Sequence, residues 1–266
     1  MSLVTALASA LTNTSGAGAD ERVEAQRRQM VDDIAAIARS TASDTGRATF
    51  AERVMAAMYD AGVKHDRVAM VGAWAMWGAD MRRMFADVAR LADVPAGTSV
   101  LDIPCGGGFA FRVLRPGQPV RYVAADISPY MLQRARKVAR RMRTEDVIDF
   151  VEADVTALQF ADNSFDLCVT YNGLHCLPDP RAALGELTRV LKPGGTLRGM
   201  SCVTGRGPRR DALIAMARRA GVFGNTPHAG EIETWLREFG LDVVTLESSG
   251  AIEFFEAKLN SKGTHP

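Results

Sequence analysis

Three carboxylates, a run of glycines and one histidine carry the chemistry legible in this sequence. Asp102 is followed by Ile103, Pro104 and Cys105 and then by Gly106, Gly107 and Gly108. Glycine reaches φ > 0 without steric conflict and lets a ligand lie against bare backbone, so the run suits a turn that cradles a nucleotide-type cofactor. Asp126 stands about 20 residues further on, where an acidic side chain at the end of a second strand can accept both hydroxyls of a ribose. Asp154, followed by Val155, ends a third candidate strand. His175 has an ordinary pKa suited to proton abstraction near neutrality; it reads either as a general base or as a residue that only shapes a pocket. His65 and His228 read as structural.

These residues need strand tips in a fixed order, and the apolar patterning supplies them. Ser99 to Asp102 reads as a buried strand leading into the glycine turn, with Phe109 and Val113 at helical spacing behind it. Strands are expected at 120–126, 148–154, 164–172 and 196–203. Ser128 and Pro129 start a helix that runs from Met131 to Met142. Residues 173–179 read as a loop crossing the site mouth. A helix over 181–191 carries Leu184, Leu187, Val190 and Leu191 on one stripe, and Lys192, Pro193, Gly194 and Gly195 stop it. A last pair of strands, 241–247 and 251–256, flanks Ser248, Ser249 and Gly250 as a hairpin.

The stretch from Asp102 to Gly108 resembles motif I of the class I S-adenosylmethionine-dependent methyltransferases, whose strand-loop reads Asp/Glu-x-Gly-x-Gly-x-Gly. The pattern falls on Asp102, Pro104, Gly106 and Gly108, with Pro104 in the first glycine place, where it removes an N–H. A dinucleotide fingerprint would need glycine at Pro104, Gly106 and Phe109, which disfavours a nicotinamide-dependent oxidoreductase. Leu-Lys-Pro-Gly-Gly at 191–195 is a further signature of the same family, and the resemblance covers roughly 95–258. It implies an α/β, Rossmann-like, seven-stranded, mostly parallel sheet closed by an antiparallel C-terminal hairpin, and S-adenosyl-L-methionine as cofactor. The implied cofactor-binding residues are Asp102, Pro104, Cys105, Gly106, Gly108, Asp126, Ile127, Met131, Asp154, Val155 and Asn172, with Tyr59 closing over the cofactor. Asp102 would serve the aminoacyl ammonium through water, or brace the loop. Asp126 would hold the ribose, the Asp154 carboxylate the adenine amine, and the Val155 N–H a ring nitrogen. The implied activity is in-line methyl transfer to oxygen or carbon of a small, apolar acceptor, without a metal. A cofactor-binding relative that transfers nothing is the alternative.

The bulk numbers fit that reading. With 266 residues, 47% hydrophobic and 24% charged, the chain can bury one sizeable core. Its net charge of +1 gives no argument for nucleic acid as partner, and the basic run Arg134, Arg136, Lys137, Arg140, Arg141 and Arg143 reads as a solvated helix face. No apolar run approaches the roughly 18 residues that span a bilayer. Residues 1–18 are expected to form a mobile tail without the charged start of a secretory signal. The cysteines Cys105, Cys168, Cys176 and Cys202 read as reduced thiols, and the expected location is cytoplasmic. Nothing in the sequence sets an oligomeric state. An N-terminal helical cap is expected over 19–94, with helices at 20–40, 49–61 and 65–91, ahead of the cofactor domain at 95–266. Its soft apolar residues, among them Met55, Met58, Tyr59, Trp74, Trp77, Met84 and Phe85, either pack a core or line an apolar acceptor pocket.

Overall fold

Parallel strands buried on both faces need apolar side chains in near-continuous runs, and the two central strands have them. In a computed structural model, which describes residues 77–261, β1 (Ser99–Asp102), β2 (Arg121–Asp126), β3 (Ile148–Glu152), β4 (Phe165–Tyr171), β5 (Leu191–Cys202), β6 (Leu241–Ser249) and β7 (Ile252–Leu259) form one sheet in the order β3-β2-β1-β4-β5-β7-β6. Every residue of β2 after Arg121 is buried, as are five of the seven in β4. The first five strands pair in parallel, and β7 runs antiparallel to both β5 and β6. The α/β sheet expected from sequence, hairpin included, is therefore present.

Side chains alternate across the sheet, so neighbouring residues feed two cores. Val100, Tyr122, Val169 and Met200 pack with α1 (Met81–Ala89) and α2 (Pro129–Met142) on one face. Leu101, Val123, Cys168 and Leu197 pack with α3 (Pro180–Val190) and α5 (Glu231–Glu238) on the other. Between β5 and α5 lies α4 (Pro208–Arg219).

Several sequence expectations change. The 1–18 tail, Tyr59, His65 and all of the expected 19–94 cap before Trp77 lie outside the described residues. Within them, the expected 65–91 helix is interrupted: Gly78 has φ +67°, and Asp80 caps α1 by accepting from the Arg82 N–H. Met84 and Val88 of α1 and Leu91 just after it are buried on the sheet, so this part of the expected cap belongs to the core. The helix expected after the glycines is a single 3-10 turn, Phe109–Val113, entered through left-handed Gly108 and ended at extended Leu114. Lys192 to Gly195 do not separate helix from strand. Leu191 already pairs with Phe165, and the ladder then jumps to Thr196 opposite Leu167, so the four residues bulge out of β5. The third strand stops at Glu152, two residues short of Asp154.

Candidate functional site

The ladder sets the carboxyl ends of the first strands side by side, with Asp102 opposite Ala124 and Asp126 opposite Glu152. Open α/β sheets bind ligands along this edge. Past Asp102, the Ile103 N–H donates to the Val169 carbonyl at 3.1 Å and the Cys105 N–H to the Ala125 carbonyl at 2.8 Å. The chain then turns through the glycines.

Asp126 joins the two halves of the site. Its Oδ2 accepts the Gly106 N–H and its Oδ1 the Ser128 N–H, each at 2.9 Å. These two backbone donors fix the carboxylate at the lip of the loop. Gly106 has φ +53° and nothing within 4 Å of the place a Cβ would take, whereas a Cβ on Gly108, at φ +83°, would meet the Phe111 ring at 2.6 Å. One glycine leaves open space above the loop, and the other allows the backbone to pass Phe111. Ile127 is 62% exposed beside this space. Ser128 caps α2 by accepting from the Met131 N–H at 3.3 Å, which places half-buried Met131 on the first turn.

The other expected residues surround this centre at different depths. Asp102 is enclosed, accepting the Tyr122 hydroxyl at 2.8 Å, and burial pushes its carboxyl up to about 7. Cys105 is buried and its thiol is raised well above the usual range by desolvation, which makes it inert. Asp154 is exposed; the Thr156 N–H at 2.8 Å and its hydroxyl at 2.7 Å hold the carboxyl below its ordinary value. Val155 beside it is buried. Asn172, at the tip of β4 with φ 58°, donates its N–H to Met200 at 3.0 Å and its amide reaches the Met84 sulfur at 3.5 Å. A Cβ on Gly173 would overlap the Pro104 ring, so the loop after β4 packs directly on the glycine loop. Tyr59 lies outside the described residues.

His175 sits in the 3-10 turn Leu174–Cys176 and is buried. Its Nδ1 accepts the Cys202 N–H at 3.2 Å and stands 3.5 Å from the Ser201 hydroxyl. Desolvation lowers its pKa to about 4. The Phe223 ring meets it edge-on at 4.4 Å, and Trp77 stacks on Phe223 at 5.8 Å. Sequence reasoning missed Phe223, which falls in an irregular segment between α4 and α5 and belongs to no periodic pattern; its only marker was the glycine after it. Among the described residues no cluster of His, Cys, Asp and Glu could hold a metal ion, and no helix is long and apolar enough to cross a membrane.

Comparison with known proteins locates the similarity in this part of the chain. Residues 101–198 match a family described as a methyltransferase domain. A demethylmenaquinone methyltransferase of Clavibacter sepedonicus is 42% identical over 102 residues, 38% of this chain and 40% of that protein. The ubiquinone/menaquinone biosynthesis C-methyltransferase UbiE of Roseobacter denitrificans is 38% identical over 103 residues, 38% of this chain and 41% of its own length. The chain thus spans about two-fifths of the curated relatives it matches. Among solved structures, the (4+2)-cyclase SpnF superposes with a TM-score of 0.55 at 19% identity, covering 68% of this chain and 81% of its own.

Proposed function

We propose that this chain, a member of the class I S-adenosylmethionine-dependent methyltransferases through the domain matched at residues 101–198, methylates a small apolar molecule at carbon or oxygen. The observation that carries the reading is the bond from Gly106 to Asp126 beneath open space, flanked by exposed Ile127. The residues fit the cofactor: a Cβ at Gly106 would occupy that space, and the Asp126 carboxylate is already aimed by two N–H donors. S-adenosylmethionine supplies a methyl group activated by the sulfonium. Asp126 takes the ribose hydroxyls, Ile127 lies against the adenine, and Asp154 with the Val155 N–H reads its edge. Asp102, buried and bonded to the Tyr122 hydroxyl, would serve the ammonium through water. The chain's further task is to hold the acceptor in line and exclude water, which supplies several kcal/mol of barrier lowering.

The relatives named for demethylmenaquinone and UbiE-type C-methylation favour a quinone-type ring as acceptor. On this reading the acceptor is a small molecule, and a net charge of +1 gives no argument for nucleic acid in its place. Four free thiols accord with a reducing cytoplasmic compartment. SpnF, named as a cyclase, is a reminder that fold leaves the reaction open. Labelled S-adenosylmethionine incubated with 1,4-naphthohydroquinone, simple phenols, lipids and amines tests the reading. Label in the hydroquinone or phenols supports it. Cofactor binding without transfer to any acceptor would instead make this a cofactor-binding protein.

A further inference from the structure

The surroundings of His175 decide which of its nitrogens carries the proton. The Cys202 N–H donates to Nδ1 at 3.2 Å, and a donor can approach that nitrogen only if it holds a lone pair. The proton of the neutral ring is therefore on Nε2. A second proton on Nδ1 would set two N–H groups against each other, and it would charge a ring that is 4% exposed. Nδ1 faces β5, so Nε2–H points away from the sheet, with no hydrogen-bond partner among the described residues.

The imidazole itself packs against an aromatic wall. Phe223 is held over the ring because the Gly224 N–H donates to the His175 carbonyl at 3.0 Å and the Asn225 N–H to the Leu177 carbonyl at 2.8 Å. Trp77 covers Phe223 and accepts the Ala251 N–H at 2.7 Å. The turn itself leans on the glycine loop through Gly173 and Pro104. Phe223 and Trp77 both lie outside the segment matched to the methyltransferase family.

We propose that His175 binds the methyl acceptor as a neutral hydrogen-bond donor, its Nε2–H meeting an acceptor oxygen against the wall of Phe223 and Trp77, and that it takes no proton during transfer. The inference rests on the methyl-transfer reading above and narrows the acceptor to a flat ring bearing an oxygen acidic enough to lose its proton to solvent before transfer. An aryl oxyanion of this kind is made nucleophilic at its oxygen or ring carbon by its own charge: the new O–CH3 or C–CH3 bond forms as the S–CH3 bond breaks and S-adenosylhomocysteine leaves, and after attack at carbon the ring proton passes to solvent as the ring regains its aromaticity, so the chain needs no base. Low His175 basicity, set by desolvation alone, agrees with the geometry.

The test begins on the full chain labelled with nitrogen-15 histidine and saturated with S-adenosylhomocysteine. Across about pH 5 to 8, the span in which an ordinary imidazole titrates, the His175 signals should show a bare Nδ1, a protonated Nε2 and no titration. Adding 1,4-naphthoquinone should then shift the Nε2–H resonance. A midpoint between about pH 6 and 7, a proton on Nδ1, or no shift with the quinone overturns the proposal. A second arm follows methyl transfer to 1,4-naphthohydroquinone by His175→Gln, which keeps a donor near the Nε2 position, and His175→Phe, which does not. The KM for the hydroquinone should rise by about tenfold in His175→Phe, the loss of one good hydrogen bond, and stay near the parent value in His175→Gln. S-adenosylhomocysteine affinity should be unchanged in both. An ascending kcat/KM limb that His175→Gln abolishes, or equal KM values in all three proteins, would overturn it. Failure of the parent protein to methylate any acceptor would count against the methyl-transfer reading instead, and the nitrogen spectra would still decide the state of the ring.

Discussion

At the scale of single residues, Gly106 and Gly108 separate function from stability. Both have positive φ, but only Gly106 faces open space. Gly106→Ala is expected to weaken S-adenosylhomocysteine binding by about tenfold or more, because its methyl takes ligand volume, with a stability loss near 1 kcal/mol from the left-handed backbone. Gly108→Ala adds the overlap with Phe111 at 2.6 Å and should unfold at a distinctly lower temperature; calorimetry and thermal melts on the two variants check the contrast. Asp102 makes a pH prediction. Its folded pKa of about 7 stands above the ordinary 3.8 because of burial, so between those values the folded state keeps a proton that the unfolded chain has released. Stability must therefore fall as pH rises from about 4 to about 7 and level off above. Asp102→Asn should melt higher than the parent at pH 8, by up to roughly 4 kcal/mol, and lose that advantage towards pH 4.

At the scale of elements, α1 and the turn after it form part of the sheet's covering layer. Leu91 is fully buried among Val88, Val100 and Leu114, and Leu91→Ala is expected to cost about 2–5 kcal/mol in urea unfolding. If the segment were a loosely docked lid, the same change would alter acceptor kinetics and leave stability nearly untouched. Elements whose apolar runs are confined to one period were legible in the sequence. The five parallel strands, α2, α3 and the hairpin lie within a few residues of their expected places, because glycine, proline and the capping side chains of Ser128 and Asp179 punctuate them. In sequence the 3-10 turn after the glycines looks like a helix start, since Phe109 and Val113 suit either geometry and only the left-handed Gly108 decides. The bulge at 192–195 looks like a stop in sequence because Pro193 and the two glycines usually end an element; the pairing of Leu191 with Phe165 is a tertiary fact. For the candidate site, Asp126 and the glycines were legible from type and spacing. The His175 environment was not, because Cys202 and Phe223 meet it only through the fold.

At the scale of the whole molecule, ion pairs tie the helical layer to the hairpin side of the sheet. Glu256 of β7 meets Arg90, which follows α1, at 2.5 Å and buried Arg198 of β5 at 3.2 Å. Burial acts to raise the Glu256 carboxyl, but its bonds to Arg90 and Arg198 outweigh this and hold it below the ordinary range. A depressed carboxyl contributes stability above its unfolded pKa and loses it as pH falls. Glu256→Gln should therefore destabilise by about 1–3 kcal/mol at neutral pH, leaving Asp87 as the remaining carboxyl that interacts with buried Arg198, and the difference should shrink below about pH 4. Denaturant curves at the two pH values measure it.

The same architecture places the ends of β1, β2 and β3 along one edge, and the account depends on that edge holding a sulfonium nucleoside. Titration calorimetry of the full chain with S-adenosylhomocysteine, beside Asp126→Ala, tests it most directly. The account predicts saturable one-site binding that the substitution weakens by about tenfold or more, the loss of a charge-assisted contact. A folded protein that gives no heat with this ligand, or one whose affinity ignores the loss of the Asp126 carboxylate, would contradict it.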